Sequence, residues 1–197
     1  MLNRRQAWAR REMAAALCWT LVLAALFSQI EIQIEGGAGW ASSLPTWRIE
    51  QHWLLDVFFG GRAMTGYHAW VLPFIALFFH FPACFARRWT LRRECLVLGC
   101  IIVFWLVEDF LWFATNPAFG LHRFSASFIP WHKHWLWGAP VDYWTFSAVA
   151  GGLLAYSCSK PRAHQGKTIA APSTVPSPFS PRRHSGSRAR GPGAADR

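Results

Sequence analysis

The chain has 197 residues, of which 53% are hydrophobic, 15% are charged and 13 are tryptophan. In soluble domains about a quarter of all residues are charged, so this composition excludes an ordinary soluble domain. The length suits a single helical bundle. The net charge of +10 comes mainly from basic residues that flank apolar runs or lie after Ser159. That placement is typical of membrane topology and does not indicate nucleic-acid binding.

The first apolar run begins behind a basic N-terminus. Residues 1–12 carry four arginines, and the run from Met13 to Ile30 that follows has no charge. About 20 apolar residues suffice to cross a bilayer, and the run lacks the small residues of a good signal-peptidase site. We therefore predict a cytoplasmic N-terminus and an uncleaved membrane helix at about 13–30. Ile30–Glu35 alternates apolar and polar residues with a period of two, which predicts a strand.

Three further spans and one surface helix follow in the chain. Ser43–Phe59 has Ser43 as a candidate N-cap and several tryptophans, so we predict a helix lying in the membrane interface. The remaining spans are predicted at about 67–85, 94–114 and 141–158. The fold class is then all-α: an integral membrane bundle of four transmembrane helices with an interfacial helix, covering residues 13–158. Residues 159–197 are rich in Ser, Pro, Gly and Arg, and we predict a disordered basic C-terminal tail.

The distribution of basic residues predicts the orientation. Sixteen of the 20 Lys and Arg residues lie in the N-terminus, in the loop between the second and third spans, or in the tail. Because cytoplasmic segments are enriched in Lys and Arg, both termini are predicted to be cytoplasmic and the two long loops to face outward. We expect a multi-pass protein of the cell (inner) membrane.

An acidic pair in the third span is the main candidate for a functional site. Glu108 and Asp109 are adjacent within an apolar run, and charged groups inside a membrane are costly enough to suggest function. The predicted topology puts them near the outer end of that span, in the leaflet that holds several other polar residues. The predicted pocket contains Glu108, Asp109, Asn116, His122, His132, His134 and Asp142, with His68 as a further possible member.

Three interpretations of this cluster remain open. Carboxylates and imidazoles are common ligands of a divalent transition metal, and the candidate ligands are His122, His132, His134, Glu108 and Asp109. Alternatively the cluster carries protons without a metal, because two adjacent carboxylates in a low dielectric cannot readily both ionise. The candidate catalytic residues are then Glu108, Asp109, His132 and Asp142. In the third interpretation the acids form structural ion pairs with Arg62, Arg123 or Lys133.

These observations favour a small membrane-embedded enzyme. We expect it to act at the outer leaflet on a lipid or lipid-linked substrate, with or without a metal, and to have membrane lipids as neighbours. The alternative is a non-enzymatic, transporter-like or accessory subunit whose buried acids bind an ion or a partner helix. Four spans make a small transporter, so that alternative also implies a homo-oligomer.

Overall fold

The computed structural model of the chain describes residues 4–86 and 88–159, and this part is mostly helical. The helices are α1 (Arg4–Glu35), α2 (Trp53–Phe58), α3 (Gly66–His80), α4 (Leu91–Thr115) and α5 (Val141–Cys158). Two antiparallel pairs of two-residue strands join β1 (Arg48–Ile49) to β2 (Met64–Thr65) and β3 (Trp135–Leu136) to β4 (Ala139–Pro140). Short 3₁₀ turns occupy Phe81–Phe85 and Leu121–Arg123. The predicted disordered tail lies, after Ser159, outside the described residues.

In the described part of the chain, three helical stretches are long and apolar enough to cross a membrane. They are Arg10–Glu35, Gly66–Phe85 and Leu91–Thr115, and they contain the first three predicted spans. Large apolar side chains such as Trp70, Phe74 and Leu77 are exposed on α3, as expected of a surface that meets lipid. α5 has the bounds of the fourth predicted span but is not among these three stretches.

The first helix is longer than the sequence pattern predicts. α1 continues through Ile30–Glu35, so the expectation of a strand there is wrong. An established helix extends more easily than a new element starts, and Ile32 packs into the core from this last turn. The helix stops at Gly36, whose φ of +64° gives the left-handed conformation of a helix C-terminus, and its N–H donates to Ile32 O at 2.9 Å. Glu31 and Glu35 consequently lie on one face of α1.

The segment predicted as one interfacial helix is only partly helical. Within Ser43–Phe59 the helix is α2, and its N-cap is His52, whose Nδ1 accepts from Leu54 N at 3.2 Å. Ser43 does not cap a helix, because its Oγ donates to the carbonyl of Glu35 at the end of α1. The first part of the segment is instead tied to the end of α1 and, through β1, to the strand that precedes α3.

α4 is the central element of the described fold. It packs most extensively against α5 and α1, and less against α3. One apolar cluster joins Ala24 of α1, Ile75 of α3 and Phe104 of α4. A second cluster, nearer the C-terminal end of α4, consists of Ile32, Trp112, Phe113, Phe119 and Ile129. The acidic pair of α4 lies between these two layers.

The loop between α4 and α5 is held over the second cluster. Trp131 stacks against Phe113 with ring centroids 5.9 Å apart, and Trp135 Nε1 donates to His132 O at 2.8 Å. The hairpin β3–β4 turns at Trp137 and Gly138, which both have positive φ, as the tight hairpin turn requires. These contacts place His132 on the inner side of the loop.

The close approach of α4 and α5 occurs at Gly99, and a side chain there should be harmful. A Cβ on Gly99 would lie 2.9 Å from Leu154, whereas a Cβ on Gly151 or Gly152 would meet nothing within 4 Å. We expect Gly99→Val to destabilise the protein by about 1–3 kcal/mol through overpacking. Thermal unfolding in detergent, with Gly152→Val as the matched control, measures this, and equal melting temperatures for the two variants would contradict the packing described.

Candidate functional site

A cavity of about 220 Å³ lies where α1, α3, α4 and α5 meet the loops. Its ionisable lining residues are Glu31, Glu35, Arg62, His68, Glu108, Asp109, His132, Asp142 and Tyr143. Much of the rest of its wall is aromatic, and these residues are Trp40, Phe59, Trp105, Trp112, Phe113, Trp131 and Phe146. The cavity is therefore apolar in its walls and acidic in its polar groups.

Two glutamates from different helices meet in this cavity. Glu108 of α4 is 3% exposed, and its carboxyl lies next to that of Glu31 of α1 in the wall of the cavity. Tyr67 donates its hydroxyl to Glu31 Oε1 at 2.8 Å, which fixes the α1 carboxyl in place. Glu108 Oε1 has no hydrogen-bond partner among the described residues. Two carboxyl groups can bond to each other only when one of them carries a proton, so this pair is suited to holding and moving one.

A third glutamate, Glu35, is the last residue of α1. Glu35 is buried and accepts a hydrogen bond from the backbone N–H of Ala41. In the described part of the chain, no Lys, Arg or His side chain forms an ion pair with Glu31, Glu35 or Glu108. Buried charges are ordinarily paired, so this acidic face of the cavity is unusual.

His132 connects α4 to α5 through two aspartates. Its Nε2 lies 3.3 Å from Asp109 Oδ2, and its Nδ1 lies 3.3 Å from Asp142 Oδ2. The Nε2 contact has the distance of an ion pair without the alignment of a hydrogen bond, so its attraction is electrostatic. Burial alone would lower the pKa of His132, but the two carboxylates outweigh it and hold the pKa above its ordinary value. Tyr143 also donates to Asp109 Oδ2, at 2.5 Å.

Arg62 completes this network from the loop before α3. Its Nη2 donates to Asp142 Oδ2 at 2.9 Å, and its Nε donates to Phe59 O at 2.7 Å. The guanidinium lies over the ring of Trp40, 4.3 Å from the centroid, and Trp40 stacks in turn on His68 at 4.1 Å. Among the described residues, the only ion pair of Arg62 is with Asp142, so it does not neutralise any of the three glutamates.

The fold brings together only some of the residues predicted for the site. Glu108, Asp109, His132, Asp142 and His68 line the cavity. His122 and His134 are exposed and do not line it. Asn116 is buried outside the cavity wall, where its Nδ2 donates to Gly36 O at 2.7 Å and ties the end of α4 to the end of α1.

The proposed metal ligands do not converge. Among residues 4–86 and 88–159, no group of three or more His, Cys, Asp or Glu side chains is arranged to hold a metal ion. Both ring nitrogens of His132 face carboxylates, so neither has a free direction for a metal. The candidate set His122, His132, His134, Glu108 and Asp109 is therefore not assembled into one site in this structure.

Several lining residues do not stand out in the sequence. The alternating pattern of Ile30–Glu35 predicts a strand, although Glu31 and Glu35 are four residues apart directly after an apolar run, which is the signal of one helix face. Nothing in the sequence distinguishes Tyr143, which follows a candidate acid. Arg62 is a predicted partner of the pair Glu108-Asp109, whereas in the structure it bonds to Asp142.

The charge on His132 predicts a pH dependence of stability. Because the pKa of His132 is higher in the folded protein than its ordinary value, the stabilisation is fully present below the ordinary pKa and is lost as the pH rises through the folded pKa. The groups facing this ring are Asp109, Asp142, Arg62 and Tyr143. We expect the melting temperature to stay level up to about pH 6.5, the ordinary pKa of histidine, and to fall as the pH is raised further. His134→Gln should keep this profile and His132→Gln should lose it; a profile that survives in His132→Gln would contradict this assignment.

No protein-family profile matches the chain, and comparisons with curated proteins and with solved structures gave no match.

Proposed function

We propose that the chain is a four-span membrane enzyme with both termini in the cytoplasm and its cavity on the outer side. Three helices of suitable length and hydropathy support the membrane location, and α5, which packs along α4, would be the fourth span. The distribution of Lys and Arg supports the orientation. The substrate would be a lipid or lipid-linked molecule of the outer leaflet, since the walls of the cavity are largely aromatic.

The observation that carries this proposal is the state of Glu108. Its carboxyl is buried, has an unpartnered oxygen that lines a cavity, and contacts a second carboxyl from another helix. A structural role would leave this group paired, because an unsatisfied buried polar atom costs free energy. Groups that persist without partners in a cavity are candidates for catalysis or binding.

The carboxyl pair supports proton-transfer catalysis, of which hydrolysis is the simplest case. In this scheme the ionised member of Glu31 and Glu108 takes a proton from water. The water oxygen then bonds to the electrophilic carbon or phosphorus of the substrate, and the protonated member gives its proton to the departing oxygen. Such general acid–base catalysis contributes typically 10²- to 10⁴-fold to a rate.

The network of Asp109, His132, Asp142 and Arg62 has a positioning role in this proposal. It lies beside the carboxyl pair and connects α4, the loop before α5, α5 itself and the loop before α3. Residues that hold a catalytic group through packing and hydrogen bonds keep it within the productive geometry. His132 and Asp142 would thus hold the cavity closed on the side of the α4–α5 loop.

A second function is favoured by one separate observation. The cavity is lined by Glu31, Glu35, Glu108, Asp109 and Asp142, against a single arginine. An excess of carboxylates would also suit a transporter-like or accessory subunit that binds an ion or moves protons. That function predicts binding without chemical conversion of a lipid.

Replacing the central acid distinguishes these functions. We expect Glu108→Gln to abolish the change in lipid composition that expression of the wild-type protein produces in a bacterial host, while the variant accumulates normally. The reason is that glutamine keeps the size of the side chain and cannot take up or release a proton. The measurement is mass spectrometry of total lipid extracts, together with the amount of protein in the membrane fraction.

The matched control is Glu94→Gln, which makes the same replacement on the same helix. Glu94 pairs with His80 at the opposite end of α4, about 21 Å away at 1.5 Å per residue. The Glu94→Gln variant should change the lipid composition of the host as the wild-type protein does. If well-folded wild-type protein converts no lipid in the host or in reconstituted vesicles, the enzyme proposal fails and the ion-binding function takes its place.

A further inference from the structure

Two buried polar groups on one face of α4 have no hydrogen-bond partner within residues 4–86 and 88–159, and both residues line the cavity. Glu108 Oε1 is an acceptor and Trp112 Nε1 is a donor, and both lack a hydrogen bond. Glu108 is 3% exposed and Trp112 is 4% exposed, so neither group has ready access to bulk water. Residues four apart on a helix have their Cβ atoms about 5–6 Å from each other. A ligand that satisfies both must therefore carry a donor and an acceptor close together.

The charge of the cavity indicates which hydrogen-bond donor the ligand carries. The three glutamates of the cavity lack a cation in the described part of the chain, and Arg62 is committed to Asp142 and to the backbone of Phe59. A cationic donor would remove this imbalance, whereas an anionic group would add to it. A protonated amine provides both the charge and the N–H groups that Glu108 Oε1 requires.

The walls and the size of the cavity indicate what kind of group carries the amine. Trp105, Trp112, Phe113 and Phe146 offer aromatic surface, which favours apolar groups and also cations placed over the rings. The volume of about 220 Å³ is below the roughly 300–1,000 Å³ of pockets that hold drug-sized ligands. It holds a small polar end and a few carbon atoms, and the rest of a longer chain would remain in the lipid.

We infer that the cavity takes an amphiphile whose polar end is a protonated primary amine with a neighbouring hydroxyl group. The ammonium donates to Glu108 Oε1, and the hydroxyl oxygen accepts from Trp112 Nε1. This inference rests on the proposed function, because it names the substrate class of the same cavity.

Short water-soluble probes test this on the purified full-length protein. The probes are hexylamine, 1-aminohexan-2-ol, hexyltrimethylammonium and hexanoate, and the readout is the concentration dependence of the melting temperature. We expect saturable stabilisation by hexylamine, about five- to tenfold tighter binding of the amino alcohol because of one added hydrogen bond, and none by hexanoate. Hexyltrimethylammonium should bind more weakly than hexylamine, since it has the charge and no N–H.

Two variants assign the contacts. Glu108→Gln should weaken hexylamine at least tenfold while Glu94→Gln binds it normally, and Trp112→Phe should remove the advantage of the amino alcohol without affecting hexylamine. Stabilisation by hexanoate, or an amino-alcohol advantage that survives in Trp112→Phe, overturns the inference even if Glu108→Gln does not fold. Amine binding without any lipid conversion would contradict the enzyme proposal alone, and lipid conversion without amine binding would overturn this inference alone.

Discussion

Replacing His132 with alanine should destabilise the folded protein by about 3–5 kcal/mol, the usual effect of removing one partner from a buried ion pair. His132 is 4% exposed, and its ring lies between Asp109 and Asp142, whose carboxylates raise its pKa and so favour the protonated form. Without His132, Asp109 would lose its histidine partner, and Asp142 would be left with its bond to Arg62. The α4–α5 loop would also lose its inner anchor. We expect a melting temperature lower by roughly 6 °C or more, at about 2 °C per kcal/mol for a chain of this size, or a loss of protein from the membrane fraction.

His134 offers a matched control two residues away. It is exposed and forms no ion pair with any residue that the structure describes, so His134→Ala should change the stability by less than about 0.5 kcal/mol. The same pair of variants also tests the metal hypothesis, under which the two histidines would be equivalent ligands. Similar losses in both variants would contradict the burial of His132 described here.

The second large effect is expected at Arg62. Its side chain is 10% exposed and is bonded to Asp142, which is 22% exposed. Arg62→Met should cost roughly 3 kcal/mol, at the lower end for a buried pair because Asp142 retains some access to solvent. The variant also loses the stacking of the guanidinium on Trp40. Thermal unfolding and the amount of membrane-inserted protein measure the loss.

A second substitution separates the ion pair from the packing. Asp142→Asn in the Arg62→Met background removes the carboxylate that has lost its partner, so it should recover part of the lost stability. A coupling energy of about 1–3 kcal/mol in the double-mutant cycle is expected for residues in one network. Strictly additive effects would show that the contact between Arg62 and Asp142 contributes nothing.

The central part of the site could be predicted from the sequence because placing a charged side chain in lipid has a high free-energy cost. Glu108 and Asp109 interrupt an apolar run, and that alone marks them as residues with a special role. The bounds of α4 and α5 follow from the same runs, and α4 ends one residue before Asn116-Pro117 because the residue before a proline disfavours helix.

The partners of this acidic pair were harder to predict. An alternating run such as Ile30–Glu35 fits a strand over six residues, and only its attachment to a preceding helix favours continued helix. Because a strand is predicted there, Glu31 is not expected to lie on the first membrane helix, where its carboxyl is next to that of Glu108. Local pattern and tertiary context compete in such short segments, and here the context prevailed.

The histidines of the α4–α5 loop illustrate a different limit. His132 and His134 would point to the same side of an extended strand, which made them appear equivalent. In the structure the strand begins only at Trp135, and Trp131 and Trp135 anchor the loop so that His132 alone faces inward. Which of several loop histidines is buried depends on packing that no local pattern contains.

Cross-linking in native membranes tests most directly whether Glu31 and Glu108 face one cavity. In a background with Cys18, Cys84, Cys95, Cys100 and Cys158 replaced by serine, the pair Glu31→Cys/Glu108→Cys is compared with Gln33→Cys/Glu108→Cys. A helix turns about 200° over two residues, so we expect a short bifunctional thiol reagent to link 31 to 108, seen as a joined peptide pair by mass spectrometry, and not 33 to 108. Because a strand has a period of two, equal linking of both pairs would contradict the helical end of α1 and, with it, the carboxyl pair on which the proposed function depends.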